Sequence, residues 1–298
     1  MSTHPTPVHP DQHFIQVGEL TISYFDLNPT ARGLPLLFIH GYNGSGYEAI
    51  PLAGELREHR IIAPDWPGSG YSSKPTDPSF YRVSSYTPLF IELMERLDIP
   101  RYLVIGHSLG GRLASHLAAS APDRIPALVL IGPYGFAVQD DNFLFLLTRL
   151  GPLVDLGFSF NNPAIARTSI KQNAFTSPEA VPEDYLEYVL SSLFEQGGNE
   201  ALKLVTKHLI HDGYLEDVLP KITQPVLLLW GRDDRVMRIH HAPEFTRRLG
   251  LCYFYSMAHM GHMPHMEAPH TVARYIEDFL ERVVIFSREE VRHGSGNA

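Results

Sequence analysis

Between Arg101 and Leu117 the chain reads R-Y-L-V-I-G-H-S-L-G-G-R-L-A-S-H-L, and no other stretch constrains the fold as tightly. Tyr102 to Ile105 is a short, apolar, β-branched run with the character of a buried strand. Gly106-His107-Ser108-Leu109-Gly110 follows, and Leu113 to Ala119 then places Leu and Ala at helical spacing. A serine caught between strand and helix must sit on a very sharp turn. Glycines at 106 and 110 fit that turn because a Cβ there would meet the neighbouring strand and helix. The turn holds the Ser108 hydroxyl clear and aims it at the positive end of the helix, as a nucleophile requires. The rival reading is a serine that only caps the helix. A histidine base and an orienting acid elsewhere in the chain would decide between the two.

The rest of the chain repeats the strand–turn–helix rhythm. Phe14 to Phe25 reads as two antiparallel strands about Gly18-Glu19, and Leu34 to His40 as a buried strand ending in H-G-Y-N-G-S-G. A helix is expected at Leu52 to Glu58, a strand at Arg60 to Ala63, and a D-W-P-G-S-G-Y-S loop from Asp65. A second helix follows at Ser84 to Leu97 and another strand at Ala127 to Ile131. Such alternation predicts an α/β protein with a doubly wound, mostly parallel sheet. Ligands then bind beyond the carboxyl ends of the strands, where His40, Asp65, Ser108 and Gly132 fall. The rhythm breaks from Pro133 to about Pro220, where helices are expected at Phe143–Leu150, Ala164–Gln172, Pro182–Phe194 and Glu200–Ile210. Strands resume at Pro225–Trp230 and Leu251–Ser256. The expected layout is a core of 13–133 and 221–286, an inserted helical cap of 134–220, and poorly ordered tails at 1–12 and 287–298. Phe143, Phe145, Leu146, Leu147, Phe158 and Phe160 give the cap more apolar surface than solvent exposure needs, so part of it should line a cavity.

Composition narrows the class. A net charge of −9 without a basic run argues against nucleic acid or an anionic membrane as partner. The only cysteine, Cys252, excludes an intrachain disulfide, fits a reducing compartment, and reads as a packed, inert thiol. No signal-peptide pattern opens the chain and no apolar run approaches the roughly 18 residues of a membrane span, so a cytoplasmic location is expected.

Two candidate acids follow the strand at Trp230: Asp233 and Asp234 in G-R-D-D-R-V. The third position after the glycine, Asp234, lets the loop turn back toward Ser108. Beyond Ser256 come four histidines, 259, 262, 265 and 270. Their spacing suggests a metal, but Gly261 and Pro264 break any helix that would converge them, and neither metal nor cofactor is expected. Here the chain resembles the α/β-hydrolase superfamily, from Phe14 to about Val284. The resemblance rests on G-H-S-L-G, on W-G-x-x-D, and on G-H-x-x-x-x-E-x-P from Gly261 to Pro269, in the order Ser, acid, His. It implies that Asp234 is the acid and His262 the base, with His265 and then His259 as fallbacks. Glu267 reads as a cap for the helix that starts at Pro269.

What the resemblance implies is a serine hydrolase acting through an acyl-enzyme. Backbone N–H groups of Leu109 and Tyr42 would form the oxyanion hole, and Asn43 and Tyr134 would touch substrate. The apolar cap points to carboxylic esters of hydrophobic small molecules. Ser108 in the nucleophile position disfavours dehalogenases and epoxide hydrolases, which use aspartate there. Carbon–carbon bond hydrolases and lyases use the same triad, but the carbon–carbon hydrolases commonly carry asparagine before the serine, where this chain has His107. A non-catalytic binding protein on the same scaffold is the remaining alternative.

Overall fold

The computed structural model describes residues 8–139, 148–194 and 197–294, with backbone alone at 151 and 284–294. Eight strands form one sheet: β1 Gln12–Val17, β2 Leu20–Leu27, β3 Leu36–Ile39, β4 Ile61–Pro64, β5 Leu103–His107, β6 Leu128–Ile131, β7 Val226–Gly231 and β8 Cys252–Met257. Their spatial order is β1-β2-β4-β3-β5-β6-β7-β8. The β1–β2 and β2–β4 pairs are antiparallel and the other five are parallel.

Alternation along each central strand explains why both faces must be covered. Leu37 and Ile39, Val104, Leu128 and Leu130, and Leu228 and Trp230 enter one apolar cluster. Their neighbours Leu36 and Phe38, Leu103 and Ile105, Val129 and Ile131, and Leu227 and Leu229 enter another on the opposite face. A strand apolar at every position cannot leave either face in water. Helices α2 (Val83–Arg96) and α3 (Leu109–Ser120) contribute to the first cluster, whereas α1 (Ile50–Glu55) and the start of α10 (Pro269–Gly294) contribute to the second.

Between β6 and β7 the described residues form helices: α4 Gly151–Ser159, α5 Pro163–Asn173, α6 Glu183–Phe194 and α7 Gly198–His208. Short α8 (Ala242–Thr246) and α9 (Pro264–Glu267) flank β8. The first expected cap helix lies mostly in 143–147, outside the described residues. Helix α4 was not expected; its proline sits in the first turn, where its missing N–H is no loss. Within the tail expected to be poorly ordered from 287, the backbone continues α10 as far as Gly294. No proline interrupts V-I-F-S-R-E-E-V-R, whose Arg and Glu favour helix, and Gly294 is the last described residue.

Arg112 ties the end of the helical insertion to the core. It is fully buried on α3, and Nη1 donates to the carbonyls of Leu209, Ile210 and Asp212 at 3.3, 2.7 and 2.7 Å. Its guanidinium lies between the rings of Tyr134 and Tyr214, 4.3 and 4.6 Å from their centroids. Arg112→Leu recovers the desolvation of a cation but leaves the buried carbonyls of Leu209 and Ile210, and the half-buried one of Asp212, without this donor, at about 1–3 kcal/mol for each buried one. The carbonyl loss should win, lowering unfolding free energy by about 3 kcal/mol in a urea titration.

Candidate active site

The carboxyl ends of β5, β6 and β7 bring the chemistry together. Ser108 follows the last residue of β5 with φ 52° and ψ −120°, a conformation that costs a non-glycine residue on the order of 1–3 kcal/mol. Three backbone hydrogen bonds hold it there: its N–H donates to Ile131 (3.0 Å), while its carbonyl accepts from Gly111 and Tyr134 (both 2.9 Å). The flanking glycines are required sterically. A Cβ on Gly106 would stand 2.6 Å from the Gly110 carbonyl oxygen, and one on Gly110 only 2.1 Å from that of Ile39.

Asp234 lies just past β7, buried, whereas Asp233 is exposed. One Asp234 oxygen, Oδ1, accepts from the backbone N–H groups of Val236 and Met237, both at 2.8 Å. The other, Oδ2, accepts from Nδ1 of His262 at 2.8 Å. Donation from Nδ1 leaves Nε2 as the free base of the ring. Gly132, at φ +46° after β6, keeps this place open: a Cβ there would lie 3.1 Å from Asp234 Oδ2 and 3.5 Å from His262 Nδ1. Ser108 thus takes its backbone position from β6, and the Asp234–His262 pair lies against the residue that follows β6.

The alternatives to His262 lie elsewhere. His259 is exposed at φ 61°, and His270 bonds Glu55 at the surface. His265 is buried beneath Glu48, its Nε2 3.5 Å from Oε2. The histidine series does not converge as a set. Among the described residues, the only cluster with ligand-type atoms all within 4.8 Å of one another is Glu48, His107 and His265. Glu267 caps nothing, contrary to expectation. It accepts from the N–H groups of Gly261 (3.0 Å) and Thr176 (2.9 Å) and so fastens the His262 loop to the segment after α5.

The loop after β3 approaches the serine closely, since a Cβ on Gly41 would be 3.0 Å from that of Ser108. His40 is buried and stacked on Trp66 at 4.8 Å, and its Nδ1–H donates to the Gly41 carbonyl at 2.8 Å. A trans peptide carries C=O and N–H on opposite sides, so pinning that carbonyl turns the Tyr42 N–H the other way. Burial lowers the pKa of His40 and favours the neutral ring, outweighing the Gly41 bond, which pulls the other way. Leu109, the other expected amide donor, is the first residue of α3.

Tyr42 and Asn43 continue into a cavity of about 390 Å³ beneath the helical insertion. Its walls include Leu153, Phe158, Phe160, Ile165, Leu193 and Leu202. Phe158 and Phe160 are two of the six residues expected to shape it; the other four lie outside the described residues. Ser108 and His262 do not line this cavity, whereas Tyr42 and Asn43, next to the Gly41 that approaches Ser108, do. Tyr134 does not line it either, because its ring covers Arg112. Helix α6 is the part of the insertion most firmly bonded to the core. Tyr185 and Tyr188 donate to the buried carboxylates Glu48 (3.2 Å) and Asp65 (2.9 Å), Asp184 accepts from Tyr47 (2.5 Å), and Ser191 bonds Tyr71 (2.7 Å).

The family model described as the alpha/beta hydrolase fold matches residues 35–269. The chain belongs to the α/β-hydrolase family. One relative, the uncharacterized hydrolase YugF of Bacillus subtilis, is 26% identical over 252 residues, covering 83% of this chain and 89% of YugF. Another, the 2-hydroxymuconate semialdehyde hydrolase of Pseudomonas putida, is 26% identical over 265 residues, covering 86% and 90%. Among solved structures, a bacterial membrane phospholipase A described as a virulence factor superposes with a TM-score of 0.78 at 27% identity, covering 91% of this chain and 86% of that one. Among the described residues of this α/β-hydrolase, no helix is long and apolar enough to cross a membrane. Burial pushes the Cys252 thiol up to about 11, which keeps it protonated and unreactive at neutral pH.

Proposed function

We propose that this α/β-hydrolase cleaves carboxylic esters of hydrophobic small molecules through Ser108, His262 and Asp234. The observation that carries the reading is the Asp234–His262 bond of 2.8 Å beside a serine held in a strained turn. His262 takes the Ser108 proton through Nε2 as the hydroxyl attacks the ester carbonyl, and Asp234 stabilises the imidazolium. The alcohol leaves with that proton, and water then repeats the sequence on the acyl-enzyme. Leu109 and Tyr42 offer their N–H groups to the oxyanion, each donor being worth roughly 3–4 kcal/mol in the transition state.

The cavity supports an apolar acyl group, because its walls are mostly aliphatic and aromatic. Each methylene taken out of water contributes about 0.8 kcal/mol, or about fourfold in kcat/KM. A series of p-nitrophenyl esters should therefore rise steeply from acetate until the cavity is filled, then level off. Ala166 lines the cavity, and Ala166→Trp should shorten the optimum, costing octanoate at least about tenfold more than acetate. A flat chain-length profile in the wild type would count against the reading. Likeness to a 2-hydroxymuconate semialdehyde hydrolase supports a second one, carbon–carbon cleavage by the same residues. Faster turnover of a vinylogous diketone than of any ester would favour it.

A further inference from the structure

Behind the Ser108 turn lies a set of buried polar groups for which acyl transfer has no step. Glu48, on the short turn Gly46–Ala49 after the 40–45 loop, is 1% exposed, and His107, the residue before Ser108, is 2% exposed. His107 Nε2 lies 2.9 Å from the backbone carbonyl of His262, and Nδ1 lies 3.3 Å from Glu48 Oε2. A carbonyl oxygen only accepts, so Nε2 must carry a hydrogen. A carboxylate oxygen also only accepts, so the second contact is attractive only if another proton lies between Nδ1 and Oε2. Without it, two lone pairs would face each other in a site closed to water.

Resting on the reading of His262 as the base, we infer that Glu48 and His107 are positioning residues that share one buried proton and thereby clamp the His262 loop to the Ser108 turn. The pair also reaches the 40–45 loop and α6. Glu48 Oε1 accepts from the Ser45 N–H at 3.4 Å and from the Tyr185 hydroxyl of α6 at 3.2 Å. The intervening loop is shaped to let it through, as a Cβ on Gly44 would sit 2.0 Å from Oε1 and one on Gly41 would sit 3.0 Å from His107 Nδ1. The ring of His107 is 4.6 Å from those of both His262 and His265, so a shift of His107 displaces the base directly. Burial alone would raise the Glu48 carboxyl, but its bonds to His107 and His265 outweigh burial and hold it well below the usual carboxylate range. Burial pulls His107 the other way, down to about 3, so it is the contact geometry of the two ring nitrogens, and not the ring's own proton affinity, that calls for the shared proton.

Two pairs of variants test this, with near-UV circular dichroism as the check on folding. Glu48→Ala removes the partner of the shared proton. It should lower kcat about 10- to 100-fold at nearly constant KM and slow fluorophosphonate labelling of Ser108 in parallel, as expected for a misplaced base. Glu48→Gln should recover most of that loss, because its amide donates to a neutral His107 Nδ1. His107→Gln still reaches the His262 carbonyl, so it should exceed His107→Asn, whose side chain is one carbon shorter, by about tenfold; this pair decides the matter if the alanine variant does not fold. Equal activity within either pair, or one equivalent of tightly bound divalent metal in the purified protein, overturns the inference. Wild-type protein whose Ser108 resists labelling overturns the hydrolase reading and the clamp with it. Labelled wild type with an unaltered Glu48→Ala variant overturns the clamp alone.

Discussion

Ser108→Ala is expected to lower kcat for p-nitrophenyl esters by at least about 100,000-fold, while the fold and the acyl-chain cavity persist. The size of the effect follows from what the hydroxyl does. In the proposed mechanism it is the atom that bonds to the acyl carbon, and no neighbour on the turn can replace it. The residual rate measures what the remaining donors and the cavity do for direct attack by water. Stability should change in the opposite sense or not at all, because the strain at φ 52° belongs to the backbone and persists in alanine. A variant that binds ester, folds normally and fails to turn over, measured by burst kinetics against circular dichroism, is the expected result. Turnover within tenfold of wild type would end the serine mechanism.

Asp234→Asn is expected to cost about 10,000-fold in kcat, an effect of tautomer rather than of shape. Oδ1 is committed to the Val236 and Met237 N–H groups, so the new amide nitrogen must take the place of Oδ2 and face His262. It can only donate there. Nδ1 then becomes the acceptor, Nε2 acquires the hydrogen, and the base is lost at the position where Ser108 needs it. Fluorophosphonate labelling of Ser108 should slow by a similar factor. Unaltered labelling would show that Asp234 plays no part in preparing the base.

The parts of the fold and site legible in the sequence share a local signature. Ser108 stands between a β-branched run and a helical one, with glycines where contacts at 2.1 and 2.6 Å would otherwise arise. Asp234 could be chosen over Asp233 because a strand end and one glycine fix how the following loop turns. His262 needed a resemblance, since three neighbouring histidines offer the same chemistry and only tertiary packing separates them. Glu48 and His107 left no signal of that kind. They are 59 positions apart, and each alone reads as an ordinary loop or strand-end residue. Arg112 was equally silent, because an arginine at helical spacing looks solvent-facing until the three carbonyls it binds are in place. Helix α4 fell between the expected helices at 143–150 and 164–172, and Glu267 was given a local role although its partners lie 6 and 91 residues away.

Asp184, Tyr185, Tyr188 and Ser191 bond α6 to the core. Swinging that helix outward would strip Glu48 and Asp65 of their tyrosine donors together, so it serves as a fixed jamb and not as a door. On the proposed function, ester and acid would pass on the side of α4 and α5, where Leu153, Phe158 and Ile165 line the cavity. Bulk added there should throttle release before it touches bond cleavage.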